Sequence, residues 1–286
     1  MSLLAHLETG ETTVCRCWDV TRTDGTTMGF TDHDVDLEFD GVVYRAGTGL
    51  TARALLQTTG LSVDNTEALG ALSDAAITEV DISAGRFDGA EITAWLVNWS
   101  SPEERQKQFR GTIGELRRAG GAFHAELRGL TEALNQPIGR VYQRPCGAVL
   151  GDGACRFDTE QPGFFLEAAV SEVSDAQVFV LAGLDAFAER WFERGQLTVL
   201  DGPATGLTGL IKTDRTPDQD APREVTLWSP LGAEVAVGDT VRIEAGCDKR
   251  AETCRTKFDN FLNFRGFPDI PGDDWLMRAP KPAGQL

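Results

Sequence analysis

The sequence predicts a mainly β protein with a few short helices. Three observations lead to this class: short runs rich in β-branched and aromatic residues, turn signals between those runs, and only two segments with helical spacing of apolar residues. At 286 residues the chain has room for about two domains. It can therefore bury a sizeable core, and it needs neither disulfides nor a metal merely to fold.

Strand candidates occur along most of the chain. The first covers 13–20 and precedes a turn signal at Asp24-Gly25, and the next, 35–44, alternates around Asp40-Gly41. Two later candidates flank Gly120-Gly121, so they predict a hairpin. The two strands of this hairpin are 109–118 and 122–130. The other strand candidates are 91–99, 177–182, 196–200, 208–213, 223–228 and 239–244.

Two segments have the apolar spacing of a helix. One is 184–194, which ends before Gly195, a residue suited to the position just after a helix. The other is 249–264, where apolar and Cys positions recur every three or four residues. The segment 266–286 predicts an extended arm because it contains Pro268, Pro271, Pro280 and Pro282.

The chain is strongly acidic. It has 27 Lys and Arg against 44 Asp and Glu, a net charge of −17, which argues against a DNA- or RNA-binding protein and against docking on an anionic membrane. Residues 1–100 alone carry 16 acids and 5 bases, a net of −11. A solvated surface that keeps the protein soluble and a surface that repels a passing polyanion both explain this excess, and charge alone does not decide between them.

Sequence motifs exclude several other classes. No apolar run approaches the ~20 residues of a membrane span, and the N-terminus lacks the pattern of a secretory signal, so we expect folding in the cytoplasm. Neither a GxGxxG nor a Walker motif is present, and the three histidines form no Ser-His-Asp or Cys-His arrangement. Asp32, His33, Asp34 and Asp36 superficially suggest a metal or acid–base site, but a solvated edge or turn is favoured because three carboxylates on one strand face repel each other.

The cysteines are the most informative feature. Four of the six form two close pairs, Cys146 with Cys155 (C-x8-C) and Cys247 with Cys254 (C-x6-C), and 91 residues lie between the pairs. Both pairs have polar surroundings, whereas buried structural cysteines act as small hydrophobes. Glycines after Cys146 could wrap backbone N–H groups around a sulfur-rich centre, and a helix opened by Cys247 could place the second pair on one face.

Spacing leaves four interpretations of these cysteines. Two disulfides are disfavoured in a reducing cytoplasm, and four unrelated free thiols are disfavoured by the polar pairing. Zinc is possible, although its ligands are usually spaced C-x2–4-C. An iron–sulfur cluster tolerates wider spacing because its core is larger than one ion. From spacing alone, zinc and iron–sulfur stay equally open.

The other two cysteines have a plainer interpretation. Cys15 and Cys17 are two residues apart on a predicted strand, so their side chains point to the same face. They could be extra ligands or a redox pair, but two thiols packed in a β-sheet is the favoured interpretation.

Three blocks of the sequence resemble tail-tip or baseplate hub proteins of long-tailed phages and phage-derived gene transfer agents. The blocks are GFTDHDVDLEFDGVVYRAGTG, PCGAVLGDGACRF and GCDKRAETCRTKFDNFLNFRGFPDIPGDD. The resemblance covers nearly the whole chain and extends to the lambda-type tail-tip protein L family, whose C-terminal portion carries an iron–sulfur cluster. It implies a [4Fe-4S] cluster on Cys146, Cys155, Cys247 and Cys254, with zinc as the alternative.

The resemblance also implies an architecture and a set of partners. Residues 1–145 would form a tail-tube-like β-sandwich or barrel region, and 146–286 a loop-rich iron–sulfur domain ending in the arm. Such hubs form a homotrimeric ring at the tail tip, contact a distal tail protein, a tail fibre or needle and other baseplate proteins, and let DNA pass without binding it.

These expectations define a structural protein of a virion-like tail, folded and assembled in the bacterial cytoplasm, that is not an enzyme. The alternatives are a cytoplasmic iron–sulfur redox enzyme and a zinc-stabilised binding module. If the ring exists, the acidic first hundred residues are expected to line its channel. The candidates are Asp32, Asp34, Asp36, Glu38, Asp64, Glu67, Asp74, Glu79, Asp81, Asp88 and Glu91.

Overall fold

The chain divides into two compact units, Met1–Ile138 and Gly139–Leu286. The sequence-based boundary at 145/146 lies a few residues beyond this division. The computed structural model describes residues 3–10, 12–47, 50–52, 65–71, 78–119, 122–129, 139, 141–218 and 221–271. Most of the predicted arm, from 272 to 286, lies outside the described residues, as do Asp64, Asp74 and the side chains of Glu67 and Glu79.

The described part of the first unit forms one nine-stranded sheet in the order β3-β4-β2-β1-β7-β8-β9-β6-β5. Its strands are β1 (Val14–Thr21), β2 (Thr27–Thr31), β3 (Leu37–Phe39), β4 (Val42–Arg45), β5 (Leu50–Ala52), β6 (Asn65–Ala71), β7 (Glu91–Asn98), β8 (Arg105–Ala119) and β9 (Ala122–Gly129). β2 and β4 pair in parallel, and the other pairs are antiparallel. Two short helices, α1 (Leu3–Leu7) and α2 (Glu79–Ser83), accompany the sheet.

Alternating burial along β1 builds the core of this unit. Trp18 and Val20 pack with Phe30 and Ile92 in one apolar cluster. The two cysteines of β1 belong to a second cluster, which contains Cys15, Cys17, Leu37, Phe39, Tyr44 and Val97. The mainly β class predicted from sequence is confirmed.

The second unit contains a closed six-stranded barrel in the order β10-β11-β14-β13-β12-β15. The strands are β10 (Phe165–Ser174), β11 (Val178–Leu181), β12 (Gln196–Val199), β13 (Thr208–Arg215), β14 (Glu224–Leu227) and β15 (Thr240–Glu244). Its interior is filled by fully buried side chains, among them Phe179, Leu197, Ile211, Val225, Leu227, Val241 and Ile243. The predicted loop-rich character therefore applies to the segments before β10 and after β15, and not to the whole unit.

The predicted helix at 184–194 is wrong. Only a 3₁₀ turn, Leu184–Ala186, forms there. The reason is Arg223, which is buried against Asp214 (Nε to Oδ1, 2.7 Å) and donates to the carbonyls of Leu184 (2.8 Å), Phe187 (2.6 Å) and Ala188 (2.7 Å). Its guanidinium holds the segment as an open loop and occupies carbonyls that a helix would bond internally.

The predicted helix at 249–264 is much shorter than expected. α3 covers only Ala251–Thr256, and a 3₁₀ turn, Phe261–Asn263, follows it. None of the helices that the structure describes is long and apolar enough to cross a membrane.

Candidate metal centre

Four cysteines of the second unit line one cavity. Cys146 and Cys155 lie in the loop ahead of β10, Cys247 follows the end of β15, and Cys254 is in α3. The empty space at this site is about 340 Å³, a figure that includes open solvent at its mouth. The fold thus brings together two cysteine pairs that 91 residues of sequence separate.

The rest of the cavity wall is apolar, amide-bearing and cationic. Of the described residues that line it, none carries a carboxylate. Together with the cysteines, the lining residues are Ala148, Leu150, Lys249, Arg250, Phe258, Asn260, Asn263 and Phe264. Such a wall suits an anionic group with sulfur ligands better than a bare, strongly hydrated cation.

Asp152 organises the loop between Cys146 and Cys155. Its carboxylate accepts backbone N–H bonds from Val149 (2.9 Å), Ala154 (2.9 Å) and Cys155 (2.6 Å). These bonds, the one from Cys155 first, hold the pKa of Asp152 below its ordinary value. We expected backbone N–H groups of this loop to point at the sulfurs. For the N–H groups of Val149, Ala154 and Cys155 this is wrong, because they donate to Asp152 instead.

Backbone contacts tie the two cysteine pairs to each other. The N–H of Cys146 donates to the Lys249 carbonyl (2.8 Å), and the Lys249 ammonium donates back to the Ala148 carbonyl. Lys249 has a φ of 65°, in the left-handed region, which turns the chain between Cys247 and α3. Cys247 therefore lies before the helix and not at its opening, so only Cys254 is presented by helical backbone.

The position of Cys247 depends on a close approach at Gly246. A Cβ at Gly246 would lie 1.7 Å from the Glu193 carbonyl oxygen. The Gly246 N–H donates to the Trp191 carbonyl (3.0 Å), so the backbone beside Cys247 is fixed to the loop that Arg223 holds. Any side chain at position 246 would move Cys247 away from this loop.

Residues 260–266, which we call the connecting segment, cross from α3 to the first cysteine pair. The Arg265 backbone N–H donates to Cys146 Sγ (3.3 Å), and the Asn260 amide donates to Cys155 Sγ (3.5 Å). At Gly266 a Cβ would lie 2.5 Å from the Arg144 carbonyl oxygen, so only glycine allows this crossing. Sequence spacing gave no signal for these sulfur contacts, because they depend on where the chain returns after α3.

Lys257 places a half-buried positive charge near the second cysteine pair. Its ammonium donates to the carbonyls of Trp191 and Gly246 and lies 4.2 Å from the centre of the Trp191 ring. Among the described residues it forms no ion pair with a carboxylate. Burial lowers the pKa of Lys257 to about 8.

Burial also acts on the second cysteine pair. It raises the pKa of the Cys254 thiol to about 11 and raises the pKa of Cys247 above its ordinary value. Without a bound metal these thiols are protonated at neutral pH, and metal binding would have to displace their protons. All six cysteines are free thiols in the structure.

The four cysteines line the same cavity without forming a compact set of ligands for one ion. Among the described residues, no three His, Cys, Asp or Glu side chains are grouped closely enough to hold a single metal ion. The four sulfurs are nevertheless placed around one cavity wall.

The first unit's candidate residues have structural roles. Cys15 and Cys17 are buried in the sheet core, as the favoured interpretation expected. Asp32 accepts from the Arg16 N–H (2.7 Å) and Asp36 from the Ala46 N–H (2.7 Å), so both carboxylates hold the turn region between β2 and β4. This agrees with the favoured solvated turn.

Comparison with known families now adds to this geometry. The profile of a family described as "Baseplate hub protein, N-terminal attachment domain" matches residues 1–158. The chain belongs to the baseplate hub proteins. A second profile, "Phage conserved hypothetical protein BR0599", matches residues 190–274 of the hub, which contain Cys247 and Cys254.

A solved structure is similar to the hub over its whole length. It comes from "Virion of native gene transfer agent (GTA) particle" and has a TM-score of 0.92 and 58% sequence identity, covering 100% of this chain and 97% of that chain. No curated protein matches the hub. The family resemblance expected from the three sequence blocks is confirmed.

Proposed function

We propose that this hub protein is a structural component of the tail baseplate of a gene-transfer-agent-like particle, and that Cys146, Cys155, Cys247 and Cys254 hold a [4Fe-4S] cluster in it. The observation that carries the cluster proposal is the convergence of these four cysteines on one cavity. The hub proposal is supported by the family match and by the 58% identical chain in a gene transfer agent virion.

The cavity fits a thiolate-ligated cluster in three respects. All four cysteines line it, and two of the sulfurs accept N–H bonds from the connecting segment. Hydrogen bonds to the sulfurs are a usual feature of iron–sulfur sites. A [4Fe-4S] core with four thiolates is anionic in sum, and Lys249 and Arg250 in the cavity wall supply positive charge around it.

The proposed role of the cluster is mechanical. When bound, it supplies iron–thiolate bonds that cross-link the loop of Cys146 and Cys155 to the segment of Cys247 and Cys254. Closing so long a loop without a cross-link is entropically costly. The chain's own residues prepare the site: Asp152 shapes the first loop, Gly246 lets Cys247 approach the Trp191 loop, and Lys257 joins α3 to that loop.

At the tail tip, three copies would form a ring around a channel through which DNA passes. An acidic wall would not hold DNA by counterion release, so DNA could slide past it. Asp34, Asp36, Glu38 and Asp88 are exposed and available for such a wall. Asp81 and Glu91 are less suited to it, because they pair with Arg86 and Arg110 respectively. Its partners would be a distal tail protein, a tail fibre or needle and other baseplate proteins, after folding in the bacterial cytoplasm.

Anaerobic purification with metal analysis tests the proposed cluster, and a mass measurement of the same protein tests the proposed hub assembly. We expect a brown protein with about four irons per chain and a mass that is a multiple of three chains. Stoichiometric zinc without iron would refute the cluster and favour the zinc-stabilised module. A protein that remains monomeric at assembly concentrations and is absent from isolated tails would contradict the hub.

Cysteine variants test the ligand assignment. Changing any one of Cys146, Cys155, Cys247 and Cys254 to Ala should lower the iron content. The matched controls Cys15→Ala and Cys17→Ala remove the same side chain from the first unit and should leave iron unchanged. Iron loss in a control as large as that in Cys254→Ala would contradict the assignment.

A further inference from the structure

The side chain of Asn260 links the two cysteine pairs. Its Nδ2 donates to the Cys155 carbonyl (2.8 Å) and to Cys155 Sγ (3.5 Å). Its backbone N–H donates to the Cys254 carbonyl (2.9 Å). One residue that is itself no ligand therefore fixes the loop of Cys155 against the helix of Cys254.

The orientation of the Asn260 amide is set by a neighbour. Asn263 Nδ2 donates to Asn260 Oδ1 (2.7 Å), so the oxygen of Asn260 is already engaged as an acceptor. The NH₂ group must then face Cys155, where a carbonyl oxygen and a sulfur both accept. Asn263 therefore orients the amide of Asn260, and that amide donates to the sulfur of Cys155.

We propose that Asn260 is a positioning residue for Cys155 and that its N–H···S bond stabilises the reduced state of the cluster. This inference rests on the proposed function, since it requires a cluster on the four cysteines. A reduced cluster carries more negative charge on its sulfurs, so a donor stabilises the reduced form more than the oxidised form and raises the reduction potential. The Arg265 N–H that donates to Cys146 Sγ belongs to the backbone, whereas the donor to Cys155 Sγ is the Asn260 side chain, which a substitution can remove.

The test is a redox titration of iron-loaded protein with dithionite, followed by electron paramagnetic resonance. Asn260→Ala removes the amide donor and keeps the backbone bond to Cys254. At the wild-type midpoint potential we expect its ratio of reduced to oxidised cluster to fall roughly two- to tenfold, the size of one hydrogen bond; a tenfold change corresponds to about 59 mV for one electron. Leu262→Ala is the matched control, because Leu262 lies on the same segment and is 98% exposed.

Asn263→Ala provides an independent arm. It leaves Asn260 in place but frees its amide to rotate, so the midpoint should shift in the same direction by a smaller amount. This variant decides the question if Asn260→Ala does not retain iron. Potentials of both asparagine variants equal to those of wild type and Leu262→Ala, at full iron content, would overturn the role of Asn260 and leave the cluster standing. Wild-type protein without iron would overturn the proposed cluster and this inference with it.

Discussion

Cys15 and Cys17 lie in a strand of the first unit. Of the four cysteines of the second unit, three lie in loops and Cys254 lies in the six-residue helix α3. Cys17 is paired on both sides, with Thr31 of β2 and Trp95 of β7, and Cys15 is paired with Val97 of β7. Their thiols bond to groups already inside the sheet, Cys17 to Thr31 (3.4 Å) and Cys15 to the Val97 carbonyl (3.7 Å). These two cysteines behave as small buried hydrophobes in a structure that regular pairing holds.

The second set of cysteines is held differently. Its backbone is organised by individual contacts, such as those of Asp152, Lys249 and Asn260, and the apolar cluster around it is small, with only Phe157, Ala245 and Phe258 buried in it. The comparison teaches that cysteine type and burial do not identify a metal site. Convergence of cysteines from irregular segments, with cationic and amide groups around them, does distinguish the two sets.

Metal removal should separate the two regions most strongly. Because the cysteine segments contain little regular secondary structure, metal binding should supply much of their local order. After chelation of iron, we expect amide hydrogen exchange to accelerate by several orders of magnitude in 146–157 and 247–266, while β1 and β7 keep their protection. The measurement is hydrogen exchange with mass spectrometry on the iron-loaded and iron-free protein.

Limited proteolysis gives the second readout of the same comparison. A Cys247→Ser variant should be cut first within residues 146–164 or 245–271, and a Cys17→Ser variant should not. Unchanged protease resistance of Cys247→Ser, together with normal particle assembly, would mean that the cluster has no structural role.

The next largest effect should come from Arg223→Ala. It leaves Asp214 buried without its partner and frees the carbonyls of the 184–188 loop, which should cost about 3–5 kcal/mol of unfolding free energy. The check is chemical denaturation of the second unit, followed through the fluorescence of Trp191, which lies three residues after that loop. If the cluster orders the cysteine site, the iron content of Arg223→Ala at low denaturant concentration should stay near that of wild type. Complete loss of iron from this variant would show instead that the 184–188 loop holds the site.

The regular part of the fold could be predicted from sequence to a large extent. The runs at 13–20, 91–99, 196–200 and 239–244 correspond to strands whose ends differ by a residue or two. β10 was missed, because FLEAAVSEVS has a single buried residue, Val170, and so shows no clear alternation. Alternation is visible only where one face of a strand packs on a core.

The site could be predicted only as far as its cysteines. Spacing and polar surroundings selected Cys146, Cys155, Cys247 and Cys254, but no local pattern marks Asn260 or Lys257. Both acquire their roles from contacts with residues far along the chain, Cys155 and Trp191. The wrong helix at 184–194 has the same cause, since its carbonyls are bonded by Arg223, which lies 39 residues along the chain from Leu184.

Lys257→Met should change stability by a smaller amount, and the sign of the change should depend on whether the cluster is bound. In iron-loaded protein the variant loses a half-buried positive charge near an anionic group, so iron should be released faster, with a loss of about 1–2 kcal/mol. In iron-free protein the same change removes a half-buried ammonium without a carboxylate partner, so stability should stay equal or rise. Iron-release kinetics and denaturation of both forms check this; a Lys257→Met variant that destabilises both forms equally would assign Lys257 a packing role only.

The smallest effect should come from Cys17→Ala. Cys17 is fully buried, and its thiol donates to Thr31, whose hydroxyl still has the Arg16 carbonyl as an acceptor (3.0 Å). The change therefore leaves no polar group unsatisfied and creates a cavity of one atom, which should cost about 1 kcal/mol, comparable to losing one buried methyl group. Thermal unfolding should show a shift of a few degrees with iron per chain unchanged. Cys254→Ala removes the same sulfur atom from the second unit. A lower iron content in Cys254→Ala than in Cys17→Ala would therefore show an effect of the position and not of the residue type. Equal iron content in the two variants would mean that the two sets of cysteines do not differ in metal binding.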